Sequence, residues 1–87
     1  MVGMTFFHFE PQALDAIDAL EHDDPRTFDR IFDLLELLAA DPVEAKVRRG
    51  NYVSTRDVWG THVPGTDYTV YWRTDPEVFV VYLVRED

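Results

Sequence analysis

Apolar residues recur every three or four positions through the first half of the chain, a spacing typical of helices that bury one face. The first such stretch begins at Pro11 and ends before the polar segment 21–24. The second begins at Pro25 behind Asp24, a favourable helix N-cap, and ends before Asp41. The apolar positions are Leu14, Ile17 and Leu20, then Phe28, Ile31, Phe32, Leu34, Leu35, Leu37, Leu38 and Ala39. The pattern predicts a hairpin of two antiparallel helices.

The second half changes to alternating or continuous apolar runs, which are typical of paired strands. We expect strands over residues 52–59, 68–74 and 78–84, with a loop over residues 60–67. A short strand over residues 4–9 precedes the helices. The last run is apolar on both faces and so predicts a central strand, with the N-terminal strand as its second neighbour.

These elements predict an α+β fold in which two helices cover one sheet. The order is a short strand, a two-helix antiparallel hairpin and a three-stranded antiparallel meander. At 87 residues we expect a single domain, 1–87, whose core must suffice without disulfides because the chain has no cysteine. The longest apolar run has seven residues, against about 20 for a membrane span. We therefore expect a soluble, cytoplasmic protein with no membrane partner.

The net charge of −9 is carried by the first half of the chain. Residues 1–45 contain eleven acids and two cations, whereas residues 46–87 contain six of each. This balance argues against general nucleic-acid binding, which favours positive surfaces. A local basic patch can still act on a docked ligand, because charges beyond about 8 Å are screened. The cations of the second half are Lys46, Arg48, Arg49, Arg56, Arg73 and Arg85.

Few residues outside that basic group indicate chemistry. His62 lies in the expected loop and could donate or accept a proton, although a lone loop histidine is more often exposed surface. Tyr71 and Arg73 share one strand face, opposite Val70 and Trp72. Arg73 could instead pair with a cross-strand acid such as Asp57. Neither metal-ligand spacing nor a glycine-rich phosphate loop occurs, so we expect no metal and no cofactor.

The chain resembles the RelE/ParE family of bacterial type II toxins in the order and spacing of several segments. They are residues 9–14 opening the first helix, 35–42 closing the second, 48–50 leading into the sheet, 65–72 and 80–84. The resemblance covers nearly the whole chain and implies the same fold. It also implies the toxin of a toxin–antitoxin pair, with a cognate antitoxin as partner and a homodimer as an open alternative.

Within this family, RelE-like members cut mRNA on the ribosome without a metal, whereas ParE-like members inhibit DNA gyrase. The cationic sheet favours the endoribonuclease, with mRNA and the ribosome as partners. On that interpretation the catalytic candidates are Arg73, Arg85, His62 and Tyr71, and the RNA-binding candidates are Lys46, Arg48, Arg49 and Arg56. Arginine and lysine would stabilise the charge that develops on phosphate.

Two departures from the RelE-like pattern keep other functions open. Thr69 stands where these nucleases usually have an arginine, and no tyrosine follows the last strand, which is succeeded by Arg85-Glu86-Asp87. One alternative is a non-enzymatic interaction module that kept the fold and lost the nuclease site. The other is a ParE-like gyrase inhibitor.

Overall fold

The computed structural model describes residues 6–76 and 78–86, which form three helices and five strands. In chain order these are β1 (Phe6–Phe9), α1 (Pro11–Asp23), α2 (Pro25–Ala40), α3 (Pro42–Arg48), β2 (Asn51–Val53), β3 (Val58–His62), β4 (Tyr68–Asp75) and β5 (Val78–Glu86). The predicted α+β class is confirmed, as are the starts of both long helices and of the last two strands. Residues 4 and 5 of the expected first strand lie outside the described residues.

The five strands form one mixed sheet in the order β1-β5-β4-β3-β2. Strand β1 runs parallel to β5, and the remaining neighbours are antiparallel. The prediction that the N-terminal strand lies beside β5 is therefore confirmed. Strand β5 therefore lies inside the sheet, and four of its apolar residues are buried, namely Phe79, Val80, Val81 and Val84.

The core lies between the helical hairpin and one face of the sheet. Trp72 and Phe79 are fully buried there, stacked with ring centroids 5.1 Å apart. The indole N–H of Trp72 donates to Thr61 Oγ1 at 2.9 Å, which satisfies a donor that burial would otherwise leave unpaired. The helices contribute Ala13, Ile17, Leu20, Ile31, Leu34, Leu35, Leu38 and Ala39 to this core. Leu14 and Leu37 were expected in the apolar stripes, but they are about half exposed at the edges of the hairpin.

All three helices begin with a proline, which suits the first turn because its missing N–H would have no helical partner. Asp24 caps α2, where its carboxylate accepts hydrogen bonds from the backbone N–H of Thr27 at 3.3 Å and from its hydroxyl at 2.7 Å. Asp41 caps α3 by accepting from the backbone N–H of Glu44 at 3.2 Å. These caps fix where the chain turns between successive helices.

The middle of the chain differs from the prediction in two respects. Residues 42–48, for which no element was predicted, form α3, in which Ala45 is buried and Val43 and Val47 are exposed. The single strand expected over residues 52–59 is instead two strands joined by a tight turn. Asp57 in that turn has a φ of 55°, a left-handed conformation that interrupts extended backbone.

The expected loop over residues 60–67 is also too long, because β3 continues to His62. Gly60 is tolerated inside this strand, since the ring of Tyr71 on β4 packs directly over it. The expected turn at Pro64-Gly65 is present, and Gly65 has a φ of 79°, which glycine adopts without strain. Within the described part of the chain, no helix is long and apolar enough to cross a membrane.

Candidate functional site

The face of the sheet opposite the helices, here called the open face, carries Tyr71 and Tyr82. In β4 the side chains of Val70 and Trp72 enter the core, whereas Tyr71 and Arg73 point the other way, as the period of two predicts. Gly60, Tyr71 and Leu83 are cross-strand neighbours on β3, β4 and β5. The open face is therefore defined by three adjacent strands and not by a flexible loop.

A cleft of about 460 Å³ lies on the open face. Its apolar lining includes Val58 and Leu83, and its polar lining includes Gln12. The remaining residues around it are Val53, Thr55, Arg56, Tyr71, Tyr82 and Arg85. Two arginines and two tyrosines thus line the cleft, and none of its lining residues within 6–76 and 78–86 is a carboxylate, although the chain has 17 acids and 8 cations. The local charge is opposite in sign to that of the whole protein.

The turn between β2 and β3 places Arg56 at this cleft. Arg56 Nη1 donates a hydrogen bond to the Tyr82 hydroxyl at 3.1 Å. Beside it, the Tyr52 hydroxyl donates to Asp57 Oδ1 at 2.5 Å. That hydrogen bond to a carboxylate raises the pKa of Tyr52 above its ordinary value of 10.0. The Asp57 carboxylate, which follows Arg56 in the chain, is therefore hydrogen-bonded to a tyrosine of the same hairpin.

Tyr82 occupies an irregular position in β5. The register pairs Tyr71 with Leu83 and Trp72 with Val81, so it passes over Tyr82 and a bulge forms there. The Tyr82 carbonyl accepts a hydrogen bond from Gln12 Nε2 at 2.8 Å.

Sequence reasoning missed both Tyr82 and Gln12 as site residues. The sequence feature that could have pointed to Tyr82 is its phenol, which stands within the otherwise apolar run 78–84. The bulge that gives Tyr82 its place beside Gln12 has no local signature.

A second, smaller recess of about 320 Å³ adjoins the cleft. It is lined by His62 and Thr69, together with Asn51, Val53, Gly60 and Tyr71. Tyr71 and Val53 line both depressions, so the predicted site residues His62 and Tyr71 lie close together. His62 is exposed at the end of β3, not in a loop as expected.

Arg73 is held outside the cleft lining. Its Nη2 lies 4.0 Å from Glu10 Oε2, so Arg73 does pair with an acid, but the acid is Glu10 and not Asp57, which accepts from the Tyr52 hydroxyl. Glu10 also lies 3.8 Å from His8 Nε2, which places both partners beside β1. The Nε atom of Arg73 is buried and has no hydrogen-bond partner among the described residues. The catalytic role expected for Arg73 stays a prediction.

The three basic residues near α3 form a separate group. Lys46 Nζ lies 5.8 Å from the ring centroid of Trp59, which packs against the core on the helical side, and 3.4 Å from Thr74 Oγ1. Arg48 is exposed and lies 3.7 Å from Glu44 in the same helix, and Arg49 follows at its C-cap. Of the predicted RNA-binding residues, the cleft therefore includes Arg56 and not these three.

No cluster of three or more histidine or acidic side chains suited to a metal ion occurs within residues 6–76 and 78–86. The candidate site consists of cationic and phenolic groups with an imidazole nearby.

Comparison of the structure with known structures supports the fold. No family model matches the sequence, and no curated protein matches it significantly. The structure is similar to that of a YoeB/ParE toxin from Agrobacterium tumefaciens, with a TM-score of 0.71 and 13% sequence identity. The match covers 95% of this chain and 99% of that chain. At this identity the likeness establishes architecture, and the protein therefore has a RelE/ParE-like toxin fold.

Proposed function

We propose that this protein is the toxin of a type II toxin–antitoxin system and acts as a ribosome-dependent, metal-independent endoribonuclease on mRNA. The observation that carries the proposal is the cleft on the open face, where Arg56 and Arg85 lie beside Tyr71 and Tyr82 and no carboxylate of the described part of the chain contributes to the lining. In a chain of net charge −9, such a local surplus of positive charge indicates an anionic ligand.

The two arginines would hold the scissile phosphate. Both are exposed, and a guanidinium can donate two parallel hydrogen bonds to phosphate oxygens. Cleavage within RNA can use the neighbouring 2′-hydroxyl as nucleophile, which adds negative charge to the phosphate oxygens in the transition state. Arg56 and Arg85 would stabilise that charge more strongly than the charge of the ground state.

Proton transfer requires an acceptor near the 2′-hydroxyl and a donor near the leaving 5′-oxygen. Tyr71 lies between the cleft and the recess that contains His62, so the His62 imidazole could accept the 2′ proton while the Tyr71 hydroxyl orients the attacking oxygen through a hydrogen bond. When the 2′-oxygen bonds to phosphorus, the bond from phosphorus to the 5′-oxygen breaks and that oxygen takes up a proton. The products are a 2′,3′-cyclic phosphate and a 5′-hydroxyl.

The aromatic groups would position the RNA. Bases stack on tyrosine faces with little sequence preference, and the ring of Tyr71 is held in place against Gly60. The acidic first half of the chain would weaken binding to free RNA. Dependence on the ribosome fits that weakness, because the ribosome would present the mRNA strand at high local concentration.

The test is induced expression in a bacterium that lacks the cognate antitoxin, with growth and mRNA cleavage on ribosomes as readouts. We expect growth arrest and cleavage by the unaltered protein, and a loss of about a hundredfold or more in cleavage for Arg56→Ala and for Arg85→Ala. Arg26→Ala removes an exposed arginine from the start of α2 and serves as the matched control. Equal cleavage by all three variants would show that the arginines of the cleft do not contribute to cleavage.

The same preparations separate the two alternatives. A gyrase inhibitor would abolish negative supercoiling by purified gyrase and leave ribosome-bound mRNA intact. An interaction module would leave growth, supercoiling and mRNA unchanged while the protein remained folded. Co-expression of a neighbouring small reading frame tests the antitoxin, which we expect to restore growth and to co-purify with the chain.

A further inference from the structure

We propose that Tyr82 is the proton donor to the leaving 5′-oxygen and that Gln12 is its positioning residue. This inference rests on the proposed endoribonuclease activity, and it deepens that proposal by naming a donor and the contact that orients it. The observation behind it is the pair of hydrogen bonds that hold Tyr82, one to its hydroxyl and one to its carbonyl.

The first bond leaves the phenol proton available. Because Arg56 donates to the Tyr82 hydroxyl oxygen at 3.1 Å, that oxygen acts as acceptor and its own hydrogen must point elsewhere. Tyr82 lines the cleft, so a phosphate held by Arg56 and Arg85 would lie within reach of this proton. After transfer to the 5′-oxygen, the negative charge on the phenolate would face the Arg56 guanidinium, and water would restore the proton.

The second bond fixes the backbone from which the phenol projects. Tyr82 is the residue that the pairing of β5 with β4 passes over, so the ladder alone does not specify its orientation. On the other edge of β5, β1 ends at Phe9. The N–H of the next residue, Glu10, donates to the Val81 carbonyl at 3.0 Å. Gln12, in the first turn of α1, supplies the next donor to this edge.

Gln12 can perform this task because its amide reaches beyond the helix that carries it. Its Nε2 lies 2.8 Å from the Tyr82 carbonyl, and its side chain also lines the cleft. The helix on which it stands is anchored in the core through Ala13, its neighbour in sequence, which is fully buried. A rigid element thus orients a residue at an irregular strand position.

The experiment compares two substitutions of Gln12 with removal of the Tyr82 hydroxyl. Gln12→Met preserves the length of the side chain but removes the donor, whereas Gln12→Lys restores a donor of similar reach. We expect Tyr82→Phe to lower the single-turnover cleavage rate on ribosomes by about a hundredfold. We expect Gln12→Met to lower it by about two- to tenfold, and Gln12→Lys to recover most of that loss.

A double substitution tests whether Gln12 acts through Tyr82. The combination of Gln12→Met with Tyr82→Phe should cleave no more slowly than Tyr82→Phe alone, because the donor that Gln12 positions is already absent. Multiplicative losses would overturn the positioning role. Tyr68→Phe, which removes a hydroxyl from a residue packed against the core on the helical side, is the matched control. Cleavage by Tyr82→Phe at the unaltered rate would overturn the assignment of Tyr82 while the proposed function stood.

A spectroscopic measurement tests the positioning of Tyr82 by Gln12 without relying on RNA cleavage. With 3-fluorotyrosine incorporated, the ¹⁹F signal of Tyr82 is identified as the one missing from Tyr82→Phe. We expect this signal to move or broaden in Gln12→Met and to return in Gln12→Lys, with the melting temperature unchanged. An unmoved signal in Gln12→Met would overturn the positioning role. If the unaltered protein cleaves no RNA, the proposed function and the donor role both fall, and the fluorine signal still decides whether Gln12 positions Tyr82.

Discussion

Arg56 and Tyr82 are 26 residues apart in the chain, and the guanidinium of the first donates to the hydroxyl of the second at 3.1 Å. This contact connects the turn between β2 and β3 to the bulge of β5. The cation comes from this turn and the phenol from this bulge, and the two side chains meet in one cleft although they are far apart in the sequence. Irregular backbone positions that bring polar groups together are frequent next to functional sites.

Leu35→Ala is expected to lower the free energy of unfolding by about 2 to 5 kcal/mol, because Leu35 is fully buried in the core. Leu37→Ala in the same helix is the control, and we expect a smaller loss because its side chain is 48% exposed. Urea unfolding followed by tryptophan fluorescence measures both. Equal losses would show that the face of α2 that packs on the sheet is not the one described.

Asp24 is expected to make the protein less stable as the pH falls into the acidic range. The hydrogen bonds from the Thr27 hydroxyl and backbone N–H hold the pKa of Asp24 below its ordinary value of 3.8. A carboxyl whose pKa falls on folding stabilises the native state above the pKa of the unfolded chain. That stabilisation is lost as the pH falls through the lower, folded pKa. We expect Asp24→Asn to lower the melting temperature at pH 7 and to have a diminishing effect below about pH 4.

Thr27→Val provides the control for that titration. It preserves the shape of the side chain and removes the hydroxyl that donates to Asp24 at 2.7 Å, the largest cause of the lowered pKa. We therefore expect a weaker pH dependence in Thr27→Val than in the unaltered protein. The melting temperatures of Thr27→Val and of the unaltered protein are compared between pH 2 and pH 7. A difference that is the same at every pH would contradict this account.

Gly60→Ala is expected to displace the ring of Tyr71. A Cβ at this position would lie 3.0 Å from Tyr71 Cε1, closer than an unstrained contact allows. Because Tyr71 lines the cleft, we expect slower RNA cleavage together with a loss of stability of about 1 to 3 kcal/mol. In a Tyr71→Ala background the same change should cost less stability, since the ring is absent. An equal cost in both backgrounds would place the strain elsewhere.

Arg73 is expected to matter less for cleavage than Arg56. Its guanidinium is held 4.0 Å from Glu10, whereas Arg56 lines the cleft. Arg73→Ala should leave the melting temperature within a few degrees, because a partly exposed ion pair contributes about 0 to 1 kcal/mol. Arg73→Lys preserves the charge but not the planar fork. Losses as large as that of Arg56→Ala in both variants would show that Arg73 grips phosphate, and a loss in Arg73→Ala alone would indicate simple charge.

The sequence by itself determined the elements whose signals are local. The apolar spacing of residues 25–40 and the cap at Asp24 specified α2, and the alternation around Val70 and Trp72 specified which face of β4 is buried. These features follow from helix and strand periods and from hydrogen bonds within one turn. The same reasoning identified Arg56, Tyr71 and Arg85, since cations and phenols among aromatics are visible in the chain itself.

Tertiary structure alone decided which of those residues meet. The division of residues 52–59 by the turn at Asp57 brought Arg56 to the cleft, whereas α3 carried Lys46 and Arg48 elsewhere. Gln12 and Tyr82 are joined across 70 residues by a bulge whose position depends on how β5 packs between β1 and β4. No local period encodes such a contact, because it results from the register of three elements that come together only in the folded chain.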